Sequence, residues 1–128
     1  MIVADTDVLI DFLQGKEPGF SAVTAALASG DLATTVVSRY EVLAGARGAG
    51  ERDRMVEFLG TLPAISLGPV EADRAAAVAS SLSARGQGIG AADSLIAGTV
   101  LVHDASLLTR NLGHFGRVEG LRMEPLGG

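Results

Sequence analysis

The 128-residue chain has no cysteine and no tryptophan, one tyrosine, four phenylalanines, two histidines and a single lysine, Lys16. Without cysteine there is no disulfide, no thiol nucleophile and no thiolate metal site, a composition that fits a reducing cytoplasm. His103 and His114 are too few for a multi-histidine zinc centre. No uncharged apolar run reaches the roughly 18 residues that mark a membrane span. The N-terminus also lacks the basic region and long apolar stretch of a signal peptide. No G-x-S-x-G elbow and no G-x-x-x-x-G-K-[ST] loop is present, which removes support for a serine hydrolase of that type and for a P-loop nucleotide site. Gly86-Gln-Gly88-Ile-Gly-Ala91 matches the loose dinucleotide pattern, but it follows an Ala- and Ser-rich helix rather than a strand. It is a glycine loop leading into a helix.

What remains is apolar and acidic. Hydrophobic residues make up 48% of the chain, and with so few aromatics the core must be built from Ala, Val, Leu and Ile. That length and content predict one domain, residues 1–128. The formal charge of −5 argues against a general polyanion binder. An acidic protein can still act on nucleic acid if several acids converge on a divalent metal and arginines supply local phosphate contacts.

Strand and helix patterns alternate along the chain. Met1–Ala4 predicts a strand, followed at once by a helix with Val8, Leu9 and Phe12 on one face and Thr6 or Asp7 as N-cap. A helix over 20–29, a β-branched strand Leu32–Val37 and a helix from Ser38 to about Ala46 follow. Further helices are expected over 52–59, 69–85 and 91–103, with strands at 64–67, 106–109 and 121–124. This alternation predicts an α/β fold with a parallel sheet of four or five strands covered by helices on both faces.

The chemistry must come from carboxylates. Asp5 leaves a strand at the C-terminal edge of the sheet, where open α/β folds place their sites. Asp93 stands in GAADSLIAGTVLV with Ile96, Ala97 and Val100 as helical neighbours. A carboxylate there needs a partner or a metal, unless the helix N-terminus alone accounts for it. Glu41 lies three residues after Ser38, so a capping box explains it without function, yet it also falls near the same sheet edge. Three converging carboxylates repel one another and raise their pKa values when empty. Mg²⁺ or Mn²⁺ relieves that repulsion, and phosphodiester hydrolysis is the natural reaction of such a centre.

Four stretches in order, VADTDVLIDFL at 3–13, VVSRYEVLAG at 36–45, GAADSLIAGTVLV at 90–102 and LLTRNLGHF at 107–115, resemble the PIN-domain ribonucleases. The likeness is greatest to the VapC-like toxins of type II toxin–antitoxin pairs. The resemblance implies a three-layer α/β/α fold and a Mg²⁺- or Mn²⁺-dependent endoribonuclease. Asp5, Glu41 and Asp93 fall on the family's acidic metal positions, with Asp7 as cap or auxiliary ligand. Asn111 falls where the family often has a fourth acid, and it brings an amide without charge. Asp11 is expected to face solvent or to support the site indirectly, His114 and Phe115 to pack, and Asp104 to face solvent at a helix end. Arg39, Arg47 and Arg110 are the candidates for phosphate contacts. The resemblance also implies a cognate antitoxin that inserts a basic residue among the acids, with the helices at 20–29 and 42–59 offering it a groove. An RNA substrate and a homodimer are implied as well.

Two other classes compete. Asp5-Thr-Asp7-Val resembles the nucleophile motif of haloacid dehalogenase-type phosphatases, and a receiver-like phosphoacceptor module has similar length and acidity. Both need a downstream lysine, and Lys16 is too close to the first motif. A PIN fold kept only for protein binding is the third alternative.

Overall fold

The computed structural model describes residues 1–126. Five short strands form one all-parallel sheet in the order β3-β2-β1-β4-β5: β1 (Ile2–Ala4), β2 (Leu32–Thr35), β3 (Ala64–Ile65), β4 (Ser106–Leu108) and β5 (Arg122–Met123). Among the described residues seven helices accompany them: α1 (Thr6–Gln14), α2 (Gly19–Ser29), α3 (Val36–Ala44), α4 (Ala49–Leu59), α5 (Pro69–Ala84), α6 (Ala91–Val102) and α7 (Leu112–Phe115). Parallel pairing forces each connection across a face of the sheet, and alternate strand residues then serve opposite cores. Val3 and Leu107 pack with Val78, Leu82, Ile96, Val100 and Phe115 under α5, α6 and α7. Ala4 and Leu108 pack with Val8, Leu9, Val23, Val42, Met55 and Leu59 under α1 to α4. The result is the three-layer α/β/α arrangement anticipated above.

The chain moves outward from β1 through β2 to β3, then crosses back to place β4 on the other side of β1. The ends of β1 and β4 therefore frame the point where strand order reverses, the crevice that open α/β sheets use for ligands. Register fixes what meets there, because Ala4 stands opposite both Thr34 and Leu108.

Most boundaries fall within a few residues of the expected ones, and Pro69 opens α5 as its sequence position implied. One boundary differs with consequences. Strand β2 stops at Thr35, and Val36 and Val37, expected in the strand, begin α3. Thr35 is the N-cap, its hydroxyl accepting from the Ser38 amide at 3.0 Å, and that cap outweighs the β preference of two valines. Helix α7 was not anticipated; at four residues it is too short for periodicity to reveal. Among the described residues no helix is long and apolar enough to cross a membrane.

Candidate active site

Asp5 is the first residue past β1 and the N-cap of α1. Its backbone is extended, and its Oδ1 accepts from the Thr6 amide at 2.8 Å. The cap expected at Thr6 or Asp7 falls on Asp5 because strand and helix share no linker, so only the junction residue keeps the extended dihedrals a cap requires. Its Oδ2 accepts from the Thr109 hydroxyl at 2.8 Å. The side chain is buried, and no lysine, arginine or histidine offsets its charge among the described residues. Burial, then the neighbouring Asp7, and to a lesser degree Asp93 push its pKa up to about 7 against the hydrogen bonds from Thr109 and Thr6.

Asp7 lies in the first turn of α1. Its Oδ1 accepts from the Val8 amide at 2.7 Å and its Oδ2 from the Arg110 amide at 3.0 Å. Burial raises its pKa while those two amides oppose the rise.

Glu41 reaches the site from α3, where its Oε1 accepts from the Thr6 hydroxyl at 2.6 Å. The capping-box reading fails, because Thr35 rather than Ser38 caps the helix and leaves Glu41 free to cross to α1. Ser38, three residues earlier on the same face of α3, has a fully buried hydroxyl without a partner among the described residues.

Asp93 occupies the first turn of α6, where the helix N-terminus favours a carboxylate. It also has named partners: His114 Nδ1 at 2.7 Å and the Asn111 amide nitrogen at 3.5 Å, both on its Oδ2. Asn111 caps α7, its Oδ1 accepting from the His114 amide at 3.2 Å. His114 was expected to pack and does not. The short α7 turns its half-exposed ring onto Asp93, while Phe115 beside it is fully buried and does pack.

Asp11 does not face solvent. It is buried and ion-paired with Arg110 at 2.8 Å, so Arg110 is already engaged by a protein carboxylate. Asp104 is exposed beyond α6 as expected. Arg39 is half-buried on α3 and Arg47 is exposed past its end.

Asp5, Asp7, Glu41, Asp93 and Asn111 thus gather at the switch point of the sheet, and Thr6, Thr109 and His114 join them. The last two lie within LLTRNLGHF, where the three-residue step from Asn111 to His114 is a capping signal that could have revealed the turn. The donor set consists of hard oxygen ligands, with a buried uncompensated acid and an orphaned hydroxyl nearby, which suits a hard divalent cation. Among the described residues, however, no three acidic or histidine side chains already stand as a ligand set. Glu41 is held by Thr6 and Asp93 by His114.

The PIN domain family model matches residues 2–121, so the chain belongs to the PIN-domain proteins. Ribonuclease VapC10 of Mycobacterium tuberculosis is 36% identical over 124 residues, covering 95% of this chain and 91% of its own length. A chain of the DNA-bound VapBC from Salmonella typhimurium superposes with a TM-score of 0.83 at 20% identity over 98% of both chains. VapBC2 from Rickettsia felis, bound to a promoter DNA fragment, gives 0.80 at 19% identity over 97% and 98%. At those identities the structural likeness establishes the fold.

Proposed function

We propose that this protein is a Mg²⁺- or Mn²⁺-dependent endoribonuclease acting in the cytoplasm as the toxin of a toxin–antitoxin pair. The observation that carries the reading is Asp5, a buried carboxylate with no basic partner among the described residues, with Asp7 and Asp93 close enough to raise its pKa and Glu41 bonded to the adjacent Thr6. Its support is the likeness to ribonuclease VapC10 and to VapBC structures. In this reading Asp5, Asp93 and Glu41 hold the cation, with Asp7 and Asn111 auxiliary. Such a cation supplies charge for the phosphate and a more acidic water.

The chain's own groups do the rest. Glu41 and Asp93 are the acids placed to orient or deprotonate the attacking water. Thr6 fixes the Glu41 carboxylate, His114 fixes that of Asp93, and Thr109 holds Asp5. The partners are RNA, a second copy of the chain and an antitoxin, whose basic residue would satisfy the acids when the toxin is silent. The groove between α1 and α4, lined by Ile10, Leu13 and Met55 with Glu51 and Arg54 at its rim, offers an amphipathic antitoxin helix a seat.

Phosphoaspartate chemistry fares worse. Lys16 lies beyond the C-terminal end of α1, away from Asp5 at its N-terminus. Cleavage of RNA by the purified protein, with and without Mn²⁺ or Mg²⁺, is the test, run beside Asp93→Asn. Activity that survives both EDTA and that substitution overturns the reading.

A further inference from the structure

Resting on that nuclease reading, we propose that Arg110 and Asp11 form a positioning latch that sets the Thr109–Asn111 loop against the acids, rather than Arg110 serving as a phosphate contact. The guanidinium grips Asp11 as a fork, Nε at 2.8 Å from Oδ2 and Nη2 at 3.3 Å from Oδ1, the geometry that makes arginine–carboxylate pairs directional. Asp11 is itself immobilised from a second side, accepting from the Gly19 amide at 3.2 Å. A side chain at Gly19 would place its Cβ 2.4 Å from that of Asp11, so only glycine lets the start of α2 come this close.

Arg110 also pins the loop through its backbone, donating its amide to Asp7 Oδ2 at 3.0 Å. Asp7 and Asp11 lie one helical turn apart on α1, so a single residue fastens the loop to one helix face at two points. Around that fastening hang the loop's contacts with the site. Thr109 donates to Asp5, the Asn111 side chain donates to Asp93, and the Asn111 backbone N–H donates in turn to Thr109 Oγ1 at 3.0 Å. Between β4 and α7 the loop has no regular structure of its own, and a segment without a hydrogen-bonded ladder keeps its place only through such side-chain ties. Removing either partner leaves a buried or half-buried charge uncompensated, which favours release of the loop.

The test compares Arg110→Gln, Asp11→Asn, their double variant and Arg110→Lys in the full chain, with two readouts. For cleavage of a short RNA in Mn²⁺, each single change lowers kcat by about tenfold or more with KM unchanged, and the double is no worse than either single. Arg110→Lys, which keeps the charge and loses the fork, recovers part of the rate. Amide hydrogen exchange of metal-free protein at 109–112 rises about tenfold in both single variants. A raised KM in Arg110→Gln beside near-normal Asp11→Asn makes Arg110 a phosphate contact and overturns the latch. So does unchanged exchange in the loop. If the unaltered protein cleaves no RNA, the nuclease reading fails while the exchange measurement still decides the latch. If Asp11→Asn does not fold, Arg110→Lys carries both readouts.

Discussion

Thr109 donates its hydroxyl to Asp5 Oδ2 at 2.8 Å across 104 residues of sequence. Register explains the meeting: β4 runs beside β1 with Leu108 opposite Ala4, so the residues one step beyond must lie side by side. The threonine is fully buried with the carboxylate it serves. Thr109→Val keeps shape and removes the donor. It is expected to lower stability at pH 8 by about 1–2 kcal/mol, read from urea unfolding with an unchanged slope.

Asp5 makes stability depend on pH in an unusual direction. Its folded pKa, about 7, lies above the ordinary aspartate value, so the folded state binds the proton more tightly than the unfolded one. Its contribution is therefore most favourable at low pH, declines as pH rises from the usual carboxylate range to about 7, and is flat above that. The full penalty is at most about 4 kcal/mol. Asp5→Asn is expected to raise the Tm measured in EDTA at pH 8, to change it little near pH 4.5, and to abolish RNA cleavage at every pH. An unchanged Tm at pH 8 would contradict the buried, uncompensated carboxylate.

His114 is half-exposed, so replacing it leaves the core intact. His114→Phe is expected to retain the fold by circular dichroism and near-normal Tm while RNA cleavage falls by about tenfold or more, because Asp93 loses the group that orients it. Full activity in this variant would return His114 to the packing role that its position at the end of the family motif implied.

Packing between α5 and α6 depends on Gly98. A Cβ there would lie 2.5–2.7 Å from Ala75 atoms, two of them backbone, so the helices would have to separate. Gly98→Ala is expected to destabilise the protein by about 1–3 kcal/mol despite its better helix propensity. Thermal unfolding checks it, with Gly50→Ala, open on α4, as the control expected to hold or gain stability.

The sequence by itself determined the α/β alternation, the parallel sheet, and the acids that leave strands or begin helices, because periodicity, capping and strand ends act within a few residues. Asp5, Glu41 and Asp93 were legible as candidates on those grounds, and four ordered motifs made the PIN resemblance specific. Local rules also misassigned several residues. They placed the cap of α3 at Ser38, offered Glu41 a capping box beside its place at the sheet edge, and left Asp11 between solvent and an indirect supporting role, while the family motif put His114 with Phe115 in packing. Only the tertiary structure decided these, since the deciding partners are remote: Thr6 for Glu41 across 35 residues, His114 for Asp93 across 21, and Arg110 for Asp11 across 99. Strand order and register choose which distant side chains share the crevice, and a carboxylate's environment follows from that choice rather than from its neighbours in the chain.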